Sequence, residues 1–283
     1  MKILKTYNEL FESIVKKLNY SNKNLRELPE LPNTLEYLNC NYNKIIELSK
    51  LPINLKKLIC HNNELIKISE LPYNLEILDC ENNELKELPE LPNTLKELYC
   101  SNNQLIELPK LSISLEYLYC ENNILIKLSE LPDSLKYLSC ENNELKELSE
   151  LSESLEILSC YNNELKKLPE LSNTLKNLDC KNNQLTELPE LPKSLEILYC
   201  SNNQLTELPV LPDSLEELYC KNNQLTELPE LPESLKYLSC SNNKLPYNNL
   251  EGYWKWYHEY YPIHYPEKYK RYLKKQKSKK YNI

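Results

Sequence analysis

The chain has 283 residues, with 34 Lys and Arg against 42 Asp and Glu, so its net charge is −8. An acidic protein of this kind repels nucleic acid phosphates, which disfavours a DNA- or RNA-binding role for most of its surface. The charge is uneven, because residues 251–283 are rich in lysine and the acidic excess lies before them. Lys, Asn, Ile, Leu and Tyr have A/T-rich codons and are abundant, so we expect an AT-rich genome, such as that of a giant virus or a protist.

Residues 1–20 predict an amphipathic helix. Their apolar side chains recur at helical spacing, and we expect the helix to cap the open end of the core that follows. A secretory signal is the rival interpretation, but Glu9 and Glu12 interrupt any apolar run. No stretch of the chain approaches transmembrane length.

One short repeat occupies the region 21–245. A typical copy, Leu191–Val210, reads LPKSLEILYCSNNQLTELPV, and we number its positions 1 to 20 from Leu191. The eleven cysteines all fall at position 10, from Cys40 to Cys240, and asparagine recurs at position 13. A fixed period of about 20 residues is the mark of a solenoid, in which each repeat forms one turn.

Each repeat predicts one short strand. Apolar positions 8 and 10 alternate with polar or aromatic positions 7, 9 and 11, and such strands must pair in parallel with those of neighbouring repeats. The proline-rich return is expected to be extended or polyproline-II-like rather than helical. The position-13 amide is expected to satisfy backbone groups at the bend that follows the strand, and stacked copies would form a ladder. The ladder asparagines are Asn63, Asn83, Asn103, Asn123, Asn143, Asn163, Asn183, Asn203 and Asn223.

The pattern LPxLPxxLxxLxCxxNxLxx resembles the shortest class of leucine-rich repeat, found in bacterial effectors of the IpaH/YopM type and in predicted proteins of large DNA viruses. The resemblance implies a leucine-rich repeat solenoid of the α/β horseshoe class, mostly β. It would have one curved parallel sheet on the concave face, extended convex segments and helical caps at both ends. The effector ligases carry a separate domain with a cysteine nucleophile after their repeats. Every cysteine here is a repeat cysteine, so we expect no ligase activity and no other catalysis.

The cysteines predict a buried column of thiols. Metal sites usually show close pairs such as CxxC, and none occurs here. In-register side chains on parallel strands point the same way, and eleven is an odd number, so disulfides are not expected. We therefore expect no metal, no cofactor and a reducing compartment, which is the cytoplasm, or the host cytoplasm for a viral protein or an effector.

Positions 7, 9 and 11 are expected to face the concave surface, where tyrosines form two clusters. Exposed tyrosines on a rigid scaffold are typical interface anchors, although they also suit a strand and can simply stiffen a sheet. We predict a monomeric, non-catalytic scaffold that binds a protein or peptide, cationic because of the acidic rim. The expected contact residues are Tyr99, Tyr117, Tyr119 and Tyr137 with Glu97, Glu121 and Glu141, and the second pair Tyr199 and Tyr219.

Residues 246–283 predict an aromatic C-terminal cap followed by a lysine-rich tail. Tyr253 and Tyr257 share helical spacing, and a short helix is expected to close the C-terminal end of the core. The tail mixes Lys and Arg with Tyr, so the alternative function is nucleic-acid or anionic-membrane association through this segment. Its simpler interpretation is a solvated end of a cap helix.

Overall fold

The computed structural model describes residues 15–264, together with 266, 267, 269, 270 and 274. Within this part of the chain, twelve short strands form one parallel sheet, in which each strand pairs with those of the neighbouring repeats. Each strand residue pairs with its equivalent in the next repeat, as Leu98 does with Leu118. The predicted leucine-rich repeat solenoid with one large parallel sheet is confirmed.

The strands are three residues long in the main sheet and two in a small second sheet, formed by β3 and β5. They are β1 Lys17–Asn19, β2 Tyr37–Asn39, β3 Glu47–Leu48, β4 Lys57–Ile59, β5 Lys67–Ile68, β6 Ile77–Asp79, β7 Glu97–Tyr99, β8 Tyr117–Tyr119, β9 Tyr137–Ser139, β10 Ile157–Ser159, β11 Asn177–Asp179, β12 Ile197–Tyr199, β13 Glu217–Tyr219 and β14 Tyr237–Ser239.

The N-terminal helix expected over residues 1–20 does not extend through the first strand. Lys17–Asn19 forms β1, and Leu18 pairs in register with Leu38. Val15 and Leu18 occupy positions 5 and 8 of an earlier, degenerate repeat, and their spacing also fits a helix. Residues 1–14 lie outside the described residues, so the helix there stays a prediction.

The core is one continuous stack of leucines and cysteines. In a typical repeat, Leu115, Leu118, Cys120 and Leu125 are completely buried. Because the same four positions are buried in repeat after repeat, each turn shares its apolar surface with both neighbours. One turn would leave most of that surface in water, so the stability of each repeat depends on the stack.

The position-13 asparagines join consecutive turns through their amides. The side-chain nitrogen of Asn123 donates to the carbonyl of Cys120 in its own repeat and to that of Cys100 in the preceding one, both at 3.1 Å. Its Oδ1 accepts the backbone N–H of Leu105 at 3.0 Å. These bonds satisfy buried backbone groups that the end of the strand leaves without a partner. The other asparagines make the same contacts.

The preceding residue, at position 12, has a left-handed backbone. Its φ lies between 52° and 57° from Tyr42 to Asn242, and asparagine fills the position everywhere except at Tyr42. Asparagine tolerates this region better than most residues with a Cβ atom. In the later repeats its amides also stack, since Asn182 Nδ2 donates to Asn162 Oδ1 at 2.6 Å. The Asn-Asn pair therefore both turns the chain and holds successive turns in register.

The small second sheet precedes Ser49 and Ser69, which occupy position 19 where several other repeats have proline. Ser69 donates its backbone N–H to the carbonyl of Leu48 at 2.9 Å, beside the parallel pair β3 and β5. A proline at this position, as at Pro89, has no N–H to donate. The convex segment is otherwise extended, as the proline pattern predicts.

An aromatic helix closes the C-terminal end, in agreement with the prediction. Helix α1, Leu250–Glu259, begins at Asn249, whose side chain accepts the backbone N–H of Gly252 at 2.8 Å. Tyr253 and Tyr257 are buried under the last repeats. A second short helix, α2, spans Tyr261–His264. Most of the lysine-rich tail lies outside the described residues, so its binding role stays a prediction.

Replacing Asn123 by alanine is expected to lower the free energy of unfolding by about 3 kcal/mol, because two carbonyls and one N–H lose their buried partner. Denaturant unfolding measures this loss. Asn93→Ala, at an exposed position 3, is the matched control and should cost less than about 0.5 kcal/mol. Equal losses for both variants would contradict the role of the ladder.

At Asn182, where φ is 54°, glycine is expected to be the better replacement. Both Asn182→Gly and Asn182→Ala lose the amide contacts, but only alanine meets the steric penalty of the left-handed region, about 1 kcal/mol. Urea unfolding of the two variants should therefore rank glycine above alanine. The reverse order would show that backbone conformation does not limit this position.

Candidate functional site on the sheet face

The sheet face is the surface formed by the outward side chains at positions 7, 9 and 11. Those of positions 7 and 9 alternate with the buried leucine of position 8, and most are half-buried by the equivalent side chains of neighbouring strands. Because the strands are in register, equivalent residues of successive repeats lie side by side, roughly 4.8 Å apart. The tyrosines expected at a binding site therefore stand in rows across the strands.

Three of the expected tyrosines form a continuous stack on β7, β8 and β9. The ring centroids of Tyr99 and Tyr119 are 4.7 Å apart, and those of Tyr119 and Tyr137 are 4.6 Å apart. We call Tyr99, Tyr119 and Tyr137 the first tyrosine stack. Tyr117 pairs in register with Tyr137, but among the described residues the rings that stack are those of Tyr99, Tyr119 and Tyr137.

Carboxylates surround the first tyrosine stack. Glu97 Oε2 accepts the hydroxyl of Tyr99 at 3.0 Å. Ser139 Oγ lies 2.6 Å from Glu141 Oε2 and 3.1 Å from Glu121 Oε2, so one hydroxyl links two carboxylates. Among the described residues, none of these three glutamates has a salt bridge. The expected acidic rim is thus present beside the stack.

Glu81 is a fourth carboxylate of this rim, and its position was not recognised in the sequence. Burial raises the pKa of its carboxyl, and the negative charges of Asp79 and Glu121 raise it further. The same causes make the ionised form unfavourable in the folded protein. A positive charge brought to this place would relieve that cost.

His61, which has no evident partner in the sequence, is held between two polar side chains. Its Nδ1 lies 2.6 Å from Asp79 Oδ2, and its Nε2 lies 2.7 Å from the amide nitrogen of Asn41. The imidazole is therefore the chain's own partner for the Asp79 carboxylate.

A second tyrosine stack lies on β12, β13 and β14. The expected pair, Tyr199 and Tyr219, has ring centroids 4.5 Å apart, and Tyr237 extends it at 4.7 Å. Glu217 Oε2 accepts the hydroxyl of Tyr219 at 3.1 Å, as Glu97 does for Tyr99 in the first stack. The geometry of the two stacks is therefore the same.

A lysine accompanies the second stack. Lys181 Nζ lies 2.7 Å from Asp179 Oδ2, 4.1 Å from the centre of the Tyr161 ring and 5.6 Å from that of Tyr199. An ammonium above an aromatic ring and beside a carboxylate is stabilised by both groups. The second stack therefore differs from the first in its charge.

Position 6, at the edge of the sheet face, shows how the chain otherwise arranges charge. Glutamate and lysine alternate there in most successive turns, and Lys136 Nζ lies 2.6 Å from Glu116 Oε2. Glu36 is bonded by two lysines, Lys16 and Lys56, which lower its pKa to about 2. The sequence already shows this alternation of negative and positive side chains between most successive repeats.

The eleven cysteines are free and buried. Burial raises the pKa of every one of these thiols, for example that of Cys40 to about 12, so they stay protonated and are poor nucleophiles. Cys120 Sγ donates to the carbonyl of Ser139 in the next repeat at 3.3 Å, which suits a small side chain with a weak donor. They serve as core residues.

Neither a metal site nor a membrane span is found in the described ranges. No group of three or more His, Cys, Asp or Glu side chains there is placed to hold a metal ion. None of the helices described is long and apolar enough to cross a membrane.

Two family models match the later repeats. The family described as leucine-rich repeats (2 copies) matches residues 173–213, and the one described as leucine-rich repeat matches residues 214–235. A comparison with curated protein sequences gives no match.

Solved structures show the relationship along most of the chain. YopM of Yersinia enterocolitica is 40% identical with a TM-score of 0.71, over 82% of this chain and 56% of that one. YopM of Yersinia pestis, a leucine-rich effector protein, is 38% identical with a TM-score of 0.64, over 84% and 81%. The functional domain of InlJ from Listeria monocytogenes, which includes a cysteine ladder, is 27% identical with a TM-score of 0.61, over 82% and 59%.

The chain therefore belongs to the leucine-rich repeat family, and its repeats are similar to those of YopM-type effectors. It spans little more than half of the Yersinia enterocolitica protein, with 56% of that chain covered. Leucine-rich repeat proteins are generally protein-interaction scaffolds and typically do no chemistry of their own.

Glu81→Gln is expected to stabilise the protein at neutral pH. Because the pKa of Glu81 is raised in the fold, its contribution to stability is present when the carboxyl is protonated and is lost as pH rises through the folded pKa. The melting temperature of the variant should exceed that of the wild type at pH 7, and the gain should disappear in acid. The exposed Glu87→Gln is the control, and the prediction is wrong if both variants show the same pH profile.

Proposed function

We propose that this protein is a non-catalytic interaction scaffold that binds a cationic segment of a partner protein on the sheet face at the first tyrosine stack. One observation carries the proposal. Three stacked, half-buried tyrosines lie among five carboxylates, and positions 7, 9 and 11 from Ile77 to Glu141 hold no lysine or arginine. The carboxylates are Asp79, Glu81, Glu97, Glu121 and Glu141.

The contrast with position 6 separates binding from mere stiffening of the sheet. At position 6 most turns alternate lysine with glutamate, as in the pair of Lys176 with Glu156 at 2.7 Å, so adjacent charges attract. Around the first stack, Glu121 and Glu141 belong to adjacent turns and contact the same Ser139 hydroxyl without such alternation. Like charges this close repel one another, and a purely structural row gains nothing from them. Unfavourable contacts between neighbouring side chains, such as this repulsion, are expected where a surface serves a function.

The chemistry of the stack favours arginine or lysine in the partner. A guanidinium or ammonium group is attracted to the face of a tyrosine ring and to carboxylates at its edge. Tyrosine also provides a large contact area at little cost in side-chain entropy, which is why it is frequent at the centre of interfaces. Nucleic acid and anionic membranes would be repelled by the same rim. The buried free thiols suit a reducing compartment, and we place the interaction in the cytoplasm.

Binding is tested with a fluorescent peptide of alternating arginine and glycine, compared with a peptide that has citrulline in place of arginine. Wild-type protein should bind the arginine peptide with an affinity that falls with added salt, and the citrulline peptide far more weakly. Tyr119→Ala should weaken binding about tenfold, as expected for loss of a central aromatic anchor. Tyr219→Ala, its counterpart in the second stack, should leave the affinity unchanged.

A charge-matched pair of variants separates the rim from the overall acidity of the protein. Glu121→Gln with Glu141→Gln removes two charges beside the stack, whereas Glu87→Gln with Glu147→Gln removes two from exposed position-17 sites. The rim variant should weaken anisotropy-measured binding at least several-fold more than its control. Equal effects would mean that the peptide binds by net charge, and the proposal would be rejected.

A further inference from the structure

The two tyrosine stacks are copies of one another, five repeats apart. Position 9 reads Asp, Tyr, Tyr, Ser from Asp79 to Ser139, and again from Asp179 to Ser239. The segments YCSNNQL and SLKYLSC each occur at the same places in both copies. The third ring of each stack comes from position 7 in both cases. The second copy can therefore serve as an internal comparison for the first.

The copies differ at position 11. The second copy has Lys181 and Lys221 where the first has Glu81 and Glu121. The ammonium of Lys181 lies between Asp179 and the aromatic rings of its neighbours, with Nζ 2.7 Å from Asp179 Oδ2. In the second copy, the chain thus supplies its own cation to the Asp179 carboxylate, to the Tyr161 ring and, at a greater distance, to the first ring of the stack.

The first copy keeps part of the surroundings of this cation and has no lysine at the equivalent position. Asp79 and Tyr99 correspond to the carboxylate and first ring of the second copy, and Glu81 replaces the lysine. His61 Nδ1 lies 2.6 Å from Asp79 Oδ2, and its imidazole stands where the second copy has the Tyr161 ring. The place corresponding to the Lys181 ammonium is therefore bordered by two carboxylates, the Tyr99 ring and the His61 imidazole.

We infer that the first stack receives a guanidinium or ammonium group of its partner at the place that corresponds to the Lys181 ammonium, between Asp79, Glu81 and the Tyr99 ring. The second stack is closed to such a ligand by the chain's own lysine. This inference rests on the proposed function and deepens it, because it assigns the cation to one end of the stack and explains why one of two equivalent stacks binds. Glu81, which stands where the second stack has Lys181, is the residue that leaves the first stack open to the ligand.

The two places are far enough apart to bind independently. Five strand spacings of roughly 4.8 Å separate equivalent residues by about 24 Å along the sheet. A short arginine and glycine peptide held at one stack leaves the other accessible. The number of peptides bound per chain therefore reports how many stacks are open.

The test exchanges the position-11 charges and measures stoichiometry by isothermal titration calorimetry with the arginine and glycine peptide. Wild-type protein should bind one peptide. Glu81→Lys should close the first stack and weaken binding about tenfold or more. Lys181→Glu with Lys221→Glu should open the second stack, so that two peptides bind per chain. Lys146→Glu with Lys166→Glu makes the same change of charge at exposed position-16 sites and should still bind one.

The outcomes distinguish this inference from the proposed function. If wild type binds one peptide and Tyr119→Ala weakens it, but the Lys181 and Lys221 variant also binds only one, the inference is overturned and the proposed function stands. Two peptides bound by the control variant would likewise overturn it. No binding by wild type would overturn both. Circular dichroism of each variant establishes folding, and Glu81→Lys provides an independent readout if the double variant does not fold.

Discussion

The structure depends on polar groups that are satisfied only when neighbouring turns keep one register. The amide of Asn123 bonds the carbonyls of two different turns, and the thiol of Cys120 donates to a third. A slip of one position would bury these donors and acceptors without partners, at a cost of several kcal/mol for each turn. Apolar stacking supplies the cohesion of the solenoid, and these bonds make its register unique. The strands of the sheet face have the same register, so equivalent side chains of successive repeats lie side by side.

Such strict register makes the sheet face a precise surface for arranging side chains. A row at position 6 mostly alternates in sign and neutralises itself through pairs such as Lys96 with Glu76. The rows beside the first tyrosine stack do not alternate, and burial and like charge raise the pKa of Glu81. Exposed ion pairs contribute little to stability, so the energetic difference is small for each pair. The difference in arrangement is nevertheless systematic, and it is the basis for placing the proposed cation beside the first tyrosine stack.

Duplication of five repeats offers a way for this fold to vary specificity without altering its core. Both copies keep the leucines, the cysteines and the stacked rings, and they differ in outward residues such as Glu81 and Lys181. Because each turn contacts only its neighbours, outward substitutions in one copy leave the other unchanged. The relatives with solved structures share the solenoid, and the proposed specificity of this chain lies in these few outward positions.

The sequence by itself determined the solenoid, the single parallel sheet and the burial of the leucines and cysteines, because an unbroken repeat with one alternating segment permits no other way to bury that pattern. It also placed the tyrosines on one face, since strand alternation requires it. Only the tertiary structure decided that Tyr137 and not Tyr117 completes the first stack, that residues 17–19 add a strand, and that Lys181 lies beside Asp179 and over the Tyr161 ring. These outcomes depend on side-chain rotamers and on distances between turns, which a one-dimensional period does not specify. The helical and repeat spacings also coincide near Val15, where only pairing with β2 resolved them.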